Sequence, residues 1–200
     1  RFMKIVPAVH VVEQALEGRH KRAPDVEPNH HPVDSANPPK YLIETSSGTA
    51  LIALAFACHT KGVPLIGVGD HAIEPALQAQ VKALGVELHL VDSIAGSLPG
   101  GFQKARLDKL HSLLAARPGG HWTRQYDNSE WKLGYYSVAA QLLQEFGAAD
   151  VLVCPTGSGA SSAGLSEATR LANPRCKLVG VDSIGSVMFG AKGAAPAMEL

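Results

Sequence analysis

The chain begins with apolar residues at the spacing of one helix face. Val9, Val12 and Leu16 recur every three or four positions, and this periodicity predicts a helix over residues 5–17. Gly18 follows at once, and glycine often ends a helix because it adopts left-handed backbone angles without strain. We therefore expect the first element of the fold to be an amphipathic helix.

From residue 41 onward, short apolar runs alternate with longer helical segments. Strands are predicted at residues 41–44, 64–68, 86–91, 122–126, 151–154 and 177–181. Helices are predicted at residues 49–60, 75–84, 102–116, 137–146 and 161–171. The strand segments are rich in Val, Leu and Ile without polar alternation, as in parallel sheets covered on both faces. The pattern therefore predicts an α/β fold in which parallel sheets are flanked by helices.

The stretch from residue 19 to residue 39 interrupts this alternation. It is rich in proline, contains His20, His30 and His31, and has almost no apolar periodicity. Such a composition predicts a surface loop inserted between the first helix and the first strand. The neighbouring histidines lack a second pair of ligands at a fixed spacing, so no metal site is predicted.

Composition and charge narrow the class of protein. Apolar residues make up 46% of the 200 positions, and 18 basic side chains balance 18 acidic ones. This balance gives no reason to expect nucleic acid or an anionic membrane as a partner, and no apolar run reaches the roughly 18 residues of a membrane span. Cys58, Cys154 and Cys176 form no disulfide framework, which favours a reducing cytoplasm. The chain starts with Arg1 and ends at Leu200, and we expect truncation at both ends.

A glycine-rich loop between a strand and a helix is the most informative motif. Residues 157–161 read Gly-Ser-Gly-Ala-Ser and are named here the phosphate loop. Small residues let backbone N–H groups approach an anion, and a helix N-terminus adds partial positive charge. The motif predicts a phosphate site at the end of a strand. A tight turn that uses glycine only for its geometry has the same pattern and is the alternative.

A dinucleotide site is a further reading of this region. Gly157 and Gly159 follow a strand, and Asp182 ends the next predicted strand, where an acidic residue could bind a ribose. The fingerprint places its third glycine three residues after the second, whereas Gly164 lies five residues after Gly159. An NAD-binding dehydrogenase therefore remains an alternative hypothesis.

A second strand leads into a helix through hydroxyl residues and a glycine. Residues 46–49 read Ser-Ser-Gly-Thr and are named here the carboxylate loop. Backbone N–H groups and hydroxyls in such a loop can bind a carboxylate, and the alternative is a helix cap, for which Ser and Thr are preferred. Two anion sites on one chain suit a cofactor phosphate and the carboxylate of an amino acid.

Five segments in the same order resemble the cysteine synthase and cystathionine β-synthase family of fold-type II pyridoxal 5'-phosphate (PLP) enzymes. The segments are Glu44-Thr-Ser-Ser-Gly-Thr-Ala-Leu-Ile-Ala-Leu-Ala, Lys82-Ala-Leu-Gly-Val-Glu-Leu, Gln125-Tyr-Asp-Asn, Gly157-Ser-Gly-Ala-Ser and Val179-Gly-Val-Asp. The resemblance extends over residues 2–190. Within it, residues 183–190 (Ser-Ile-Gly-Ser-Val-Met-Phe-Gly) are similar to a siderophore-pathway branch that uses O-phosphoserine and glutamate.

The resemblance implies a fold and a set of site residues. The fold is tryptophan synthase β-like, with PLP at the junction of two lobes: residues 1–128 form the smaller lobe and residues 129–200 begin the larger one. Lys4 precedes the first helix and matches the catalytic lysine that forms a Schiff base with PLP. The implied cofactor-binding residues are Lys4, Thr49, Gly157, Ser158, Gly159, Ala160 and Ser161. The implied substrate-binding residues are Ser46, Ser47, Gly48, Thr49 and Gln125.

The implied activity is PLP-dependent β-replacement on an O-activated L-serine, a cysteine synthase-like transferase reaction through an aminoacrylate intermediate. We expect a cytoplasmic homodimer of amino-acid or cysteine biosynthesis that acts on a small amino-acid substrate. Two alternatives share the fold. One is a serine or threonine dehydratase-type lyase. The other is a non-catalytic paralogue, because the Asp-Arg pair that follows the family's lysine is absent after Lys4.

Overall fold

The computed structural model describes residues 3–18, 37–46, 48–92 and 101–182. These residues form two compact units, and the chain passes from unit 1 to unit 2 between Arg124 and Gln125. Both units consist of parallel strands and packed helices, so the predicted α/β class is confirmed. Most of the predicted surface loop, including its three histidines, lies outside the described residues.

Unit 1 is built on a four-stranded parallel sheet. Its elements are α1 (Ile5–Leu16), β1 (Tyr41–Thr45), α2 (Thr49–Lys61), β2 (Leu65–Asp70), α3 (Pro75–Ala83), β3 (Glu87–Val91), α4 (Gly101–Ala116) and β4 (Gly120–Trp122). The strands lie in the order β3-β2-β1-β4. Ile43 of β1 pairs with Ile66 on one side and with Trp122 on the other. The carboxyl ends of all four strands therefore meet at one edge of the sheet.

Burial explains the apolar character of these elements. Every residue of β1 and β2 is buried, which confirms the prediction of a sheet covered on both faces for these strands. Helix α2 is apolar on nearly all sides because it packs against α1 as well as against α3 and β2. It ends at Gly62, which has left-handed backbone angles (φ 66°) and caps the helix.

Unit 2 has a two-stranded parallel sheet and three helices among the described residues. Its elements are α5 (Glu130–Leu133), α6 (Tyr136–Phe146), β5 (Val151–Pro155), α7 (Ala160–Ala172) and β6 (Lys177–Val181). Helix α7 is the crossover between the paired strands β5 and β6. The core of the unit is a cluster of buried residues: Tyr135, Ala139, Cys154, Leu165 and Ala168.

The strand predicted at residues 122–126 is misplaced, because β4 spans Gly120–Trp122. Gly120 pairs with Tyr41 in the sheet. A Cβ atom at Gly120 would lie 2.3 Å from the Tyr41 ring, so only glycine fits there. After Trp122 the extended backbone ends at Arg124, whose φ is positive. The one-turn helix α5 was not predicted.

The two-stranded sheet of unit 2 differs from the buried sheet that its apolar sequence predicts. Cys154 is buried, but Val151 and Val153 on the opposite face of β5 are 51% and 61% exposed. Val179 and Val181 of β6 are also exposed. Burial on both faces is therefore the wrong expectation for this sheet in the described part of unit 2.

Candidate active site

Several buried polar residues lie at the carboxyl edge of the unit 1 sheet. Glu44, Thr45 and Ser46 lie where β1 ends, and all three are buried. Thr123, directly after β4, is buried beside them, and its backbone N–H donates to the Ile43 carbonyl. Because ligands bind at the carboxyl ends of strands in open parallel sheets, this edge is the first candidate site.

Glu44 is a buried carboxylate that accepts hydrogen bonds from neighbouring backbone and side chains. Only 1% of the residue is exposed. Its Oε1 accepts the Thr45 backbone N–H at 2.7 Å and the Trp122 indole N–H at 3.1 Å. Its Oε2 accepts the Thr123 hydroxyl at 2.6 Å. These donors stabilise a charge that burial alone would disfavour. Glu44 begins one of the segments that carry the family resemblance, but the resemblance implies no role for it.

Lys4, the predicted Schiff-base lysine, immediately precedes α1 and is partly buried. Burial lowers the pKa of its ammonium group, while the negative charge of Glu44 raises that pKa and partly offsets the effect. A lysine acts as a nucleophile only after it loses a proton, so a lowered pKa suits the predicted role. Lys4 and Glu44 together give unit 1 an amine and a carboxylate that interact electrostatically.

The carboxylate loop connects this sheet edge to α2. The Ser46 side-chain oxygen accepts the Gly48 backbone N–H at 3.2 Å, and the Ser46 N–H donates to Val68 at 3.1 Å. Gly48 precedes the first turn of α2, and Thr49 begins the helix with its side chain exposed. Ser47 lies outside the described residues. The structure thus places Ser46, Gly48 and Thr49 together at a helix start, and their substrate role stays a prediction.

A buried ion pair at the same edge was missed by the sequence analysis. Asp70, the last residue of β2, is fully buried and accepts a hydrogen bond from the Arg106 guanidinium at 2.7 Å. Its other oxygen accepts the Ala72 backbone N–H at 2.9 Å. The pair ties α4 to the end of β2. Its partners are 36 residues apart, so no local sequence pattern reveals it.

The backbone turns sharply just after β4. Arg124 has a φ of 53°, which is uncommon for a residue other than glycine. Its guanidinium lies 5.2 Å from the centre of the Trp122 ring, within the range of a cation–π contact. Gln125, a predicted substrate-binding residue, follows at once and is buried.

The phosphate loop of unit 2 connects β5 to α7, as predicted. The backbone N–H of Thr156 donates to Val181 at 2.8 Å and continues the β5–β6 ladder up to the loop. Gly159 precedes α7 with a left-handed φ of 83°, so glycine is required at this position. A Cβ atom at Gly157 or Gly159 would meet no atom within 4 Å. Open space therefore borders the backbone of these two glycines at the start of a helix.

The first turn of α7 lies beside a buried tyrosine. Ser162 of this turn is buried and donates to the Gly159 carbonyl at 3.0 Å. Tyr135 is only 2% exposed and belongs to the core cluster against which Ala160 packs. Burial raises the pKa of Tyr135 to about 12, and the effect of Ser161 on this pKa is smaller and opposite.

The two sites fit the parts of PLP that the resemblance assigns to them. Lys4 is a partly buried amine with a lowered pKa, which suits an aldehyde carbon. The phosphate loop offers a helix N-terminus, a serine hydroxyl and two glycines bordered by open space, which suit a phosphate. No group of three or more His, Cys, Asp or Glu side chains that could hold a metal occurs among the described residues.

Comparison with known proteins supports PLP as the cofactor. The family model described as pyridoxal-phosphate dependent enzyme matches residues 3–198. N-(2-amino-2-carboxyethyl)-L-glutamate synthase of Cupriavidus metallidurans is 34% identical over 155 residues, which are 76% of this chain and 45% of that protein. The chain spans about half the length of the curated relatives it matches. The match favours PLP over the dinucleotide alternative.

Solved structures confirm the predicted fold. A hydrogen sulfide-producing enzyme of Fusobacterium nucleatum superposes with a TM-score of 0.79 at 23% identity, covering 98% of this chain and 58% of that one. An O-acetylserine dependent cystathionine β-synthase of Helicobacter pylori superposes with a TM-score of 0.76 at 20% identity, covering 94% and 56%. At these identities the likeness shows the fold alone. Within the described residues, no helix is long and apolar enough to cross a membrane.

Proposed function

The chain belongs to the family of pyridoxal-phosphate dependent enzymes, and on this premise we propose that it catalyses β-replacement on an O-activated L-serine. The observation that carries the proposal is Lys4, a partly buried amine of lowered pKa that interacts with the buried carboxylate of Glu44. A serine or threonine dehydratase-type lyase and a non-catalytic paralogue remain the alternatives that the experiment below separates from it.

Lys4 is the residue that would hold the aldehyde carbon of the cofactor and later move a proton. When bound, PLP supplies an electron sink for the pair left at the α-carbon. Burial favours the neutral form of Lys4, in which its Nζ can accept the α-proton of the substrate. Glu44 limits this effect because its charge favours the protonated form. The two influences keep Lys4 able to accept and return a proton.

The carboxylate loop is proposed to hold the substrate's α-carboxylate. The Ser46 side-chain oxygen accepts the Gly48 backbone N–H and so links the end of β1 to the start of α2. The first N–H groups of a helix have no carbonyl partner within that helix, which leaves the start of α2 suited to an anion. Thr49, whose side chain is exposed, adds a hydroxyl donor. Ser47 and Gln125 complete the proposed substrate-binding set.

The phosphate loop, Gly157–Ser161, is proposed to bind the cofactor phosphate. It is formed wholly by unit 2, whereas Lys4 and the carboxylate loop belong to unit 1. This division supports the proposed lobes at residues 1–128 and 129–200, the first carrying the lysine and the second carrying the phosphate site. All three cysteines are free and buried, which supports the proposed cytoplasmic location. Homodimer formation is also proposed, and sedimentation equilibrium tests it.

The name of the Cupriavidus metallidurans relative suggests that the nucleophile of the proposed reaction is an amine. Its name describes the joining of a 2-amino-2-carboxyethyl group to the nitrogen of L-glutamate. We propose the same class of reaction here: the C–O bond at the serine β-carbon breaks, a C–N bond forms, and the phosphate or acetate leaves. Sulfide is the alternative nucleophile, and its use would place the protein in cysteine biosynthesis.

The test incubates the PLP-loaded protein with O-phospho-L-serine or O-acetyl-L-serine and either L-glutamate or sulfide, followed by mass spectrometry of the products. We expect one condensed product together with the released anion. Release of pyruvate and ammonia without condensation would instead identify a lyase, and absence of turnover would identify a non-catalytic paralogue. Lys4→Ala is expected to abolish turnover, whereas the control Lys61→Ala, at an exposed pair with Glu13, is not.

A further inference from the structure

The hydrogen-bonded ladder between β1 and β4 stops just before the carboxylate loop. Alternate residues of a strand direct their backbone N–H and C=O groups to the same neighbouring strand. The Thr123 N–H donates to the Ile43 carbonyl at 3.1 Å, so Ile43 and Thr45 direct their backbone groups toward β4. Strand β4 ends at Trp122, and the chain turns at Arg124 with a φ of 53°. The Thr45 N–H therefore lies where this ladder ends.

The Glu44 carboxylate accepts the backbone N–H at this position. Its Oε1 accepts the Thr45 N–H at 2.7 Å, and its Oε2 accepts the Thr123 hydroxyl at 2.6 Å. One buried carboxylate thus joins the backbone of β1 to the residue that follows β4. On the other side of β1, the Ser46 N–H donates to the Val68 carbonyl of β2 at 3.1 Å. The start of the carboxylate loop is therefore held from both sides of its strand.

Trp122 and Thr123 both donate to Glu44, and Thr123 is better placed to orient the carboxylate. The Trp122 indole donates to Oε1 at 3.1 Å, the oxygen that also accepts the Thr45 N–H. The Thr123 hydroxyl donates to Oε2 at the shorter distance of 2.6 Å, and Thr123 is fully buried. Hydrogen bonds to a buried charge are strong. Without this hydroxyl, the carboxylate can rotate away from the geometry in which Oε1 meets the Thr45 N–H.

We propose that Thr123 is a positioning residue for substrate binding: through Glu44 it holds the Thr45 N–H, and with it the start of the carboxylate loop, in the geometry that receives the substrate's α-carboxylate. The proposal rests on the proposed function of the carboxylate loop. Thr123 itself does not contact the substrate. Its hydroxyl acts by reducing the backbone freedom that the loop loses when a carboxylate binds.

The first test compares two ligands of the PLP-loaded protein that differ by one carboxylate. L-Alanine has an α-carboxylate and no leaving group, whereas ethylamine is the same molecule without the carboxylate. Dissociation constants are measured from the absorbance of the bound cofactor. We expect Thr123→Val to weaken L-alanine binding by about three- to tenfold, the effect of one lost hydrogen bond, while ethylamine and PLP bind as before. Thr123→Ser keeps the hydroxyl and should bind L-alanine like the unmodified protein.

The second test needs neither cofactor nor turnover. Backbone amide exchange is followed by NMR in the protein without PLP, with the Leu42 N–H as internal reference. Leu42 lies on the same strand, but its N–H donates toward β2, to the Pro64 carbonyl at 2.9 Å. We expect Thr123→Val to accelerate exchange at Thr45 by about three- to tenfold more than at Leu42. Unchanged exchange at Thr45 would overturn the proposal.

Thr169→Val is the matched control. Thr169 is also buried, but its hydroxyl donates to the Leu165 carbonyl within α7, so L-alanine affinity should not change. Equal weakening of L-alanine and ethylamine by Thr123→Val would show a purely structural role and overturn the proposal, as would equal acceleration of exchange at Thr45 and Leu42.

A variant of the loop itself separates this proposal from the function on which it rests. If Ser46→Ala leaves L-alanine affinity unchanged, the assignment of the carboxylate loop fails. If Ser46→Ala weakens L-alanine binding and Thr123→Val does not, only the role of Thr123 fails.

Discussion

Replacement of Glu44 by glutamine tests whether this buried carboxylate supports both the fold and the charge state of Lys4. Thr45, Trp122 and Thr123 each donate a hydrogen bond to Glu44, and the negative charge strengthens each of these bonds. A hydrogen bond to a charged group contributes about 1.5–3 kcal/mol, against about 1 kcal/mol for a neutral one. Glutamine keeps an acceptor but loses the charge, and it also removes the cost of burying that charge. The net loss in the free energy of unfolding is therefore expected to be roughly 1–3 kcal/mol.

Urea denaturation measures this loss, and Glu167→Gln is the control. Glu167 binds Lys132 at 2.9 Å, but its side chain is 47% exposed, so the pair is screened by solvent. We expect the control to lose less than about 1 kcal/mol. Equal losses at the two positions would refute the conclusion that burial makes Glu44 the more important carboxylate.

The same Glu44→Gln variant is expected to lower the pKa of Lys4 further. The negative charge of Glu44 is the influence that raises this pKa, and its removal leaves the effect of burial unopposed. Reductive methylation modifies only the neutral amine, so mass spectrometry of the Lys4 peptide across a pH series gives the midpoint. Lys132, whose pKa is raised by Glu167, should react at higher pH than Lys4 in the unmodified protein. An unchanged or higher midpoint for Lys4 in the variant would contradict the coupling of Lys4 to Glu44.

Three further predictions concern the stability of the two units. Asp70→Asn breaks the buried ion pair with Arg106 at the end of β2. Urea denaturation should show a free energy of unfolding lower by about 3–5 kcal/mol. A loss below about 1 kcal/mol would contradict the conclusion that this pair is buried. Gly164→Ala brings a methyl group within 2.3 Å of the Lys132 carbonyl and should cost about 1–3 kcal/mol, whereas Gly157→Ala, which meets no atom within 4 Å, should change stability by less than about 0.5 kcal/mol. Lys132 holds the pKa of Glu167 below its usual range, so the stability from this pair is present above the usual glutamate pKa and is lost as pH falls through the lowered value. When the pH is lowered from about 6 to about 3, the melting temperature of Glu167→Gln should therefore fall less than that of the unmodified protein.

Elements with a strong local pattern could be predicted from the sequence to within one or two residues. The spacing of Val9, Val12 and Leu16, together with Gly18, located α1, and the strand predicted at 177–181 matches β6. Such signals are local, because helix periodicity and glycine stops depend only on neighbouring residues. The alternation of predicted strands and helices was sufficient to predict the α/β fold class.

Long-range contacts explain what the sequence analysis missed. Pro118, Gly119 and Gly120 are turn-forming residues in the sequence, and only the fold shows that Tyr41, on another strand, occupies the space of a side chain at Gly120. The contacts of Glu44 with Trp122 and Thr123 bridge almost 80 positions. Tyr135 likewise meets Gly164 only where α7 packs against α6. The candidate site residues were found through their motifs, whereas the groups that hold them could be found only in three dimensions.

The central claim is that Lys4 carries the cofactor, and the most direct measurement is to locate the attachment point. The protein is loaded with PLP, reduced with borohydride to make the attachment permanent, digested and analysed by mass spectrometry. The account predicts the pyridoxyl group on Lys4 and its absence in Lys4→Ala. Modification of a different lysine at one equivalent, or of no lysine while PLP binds, would contradict the account.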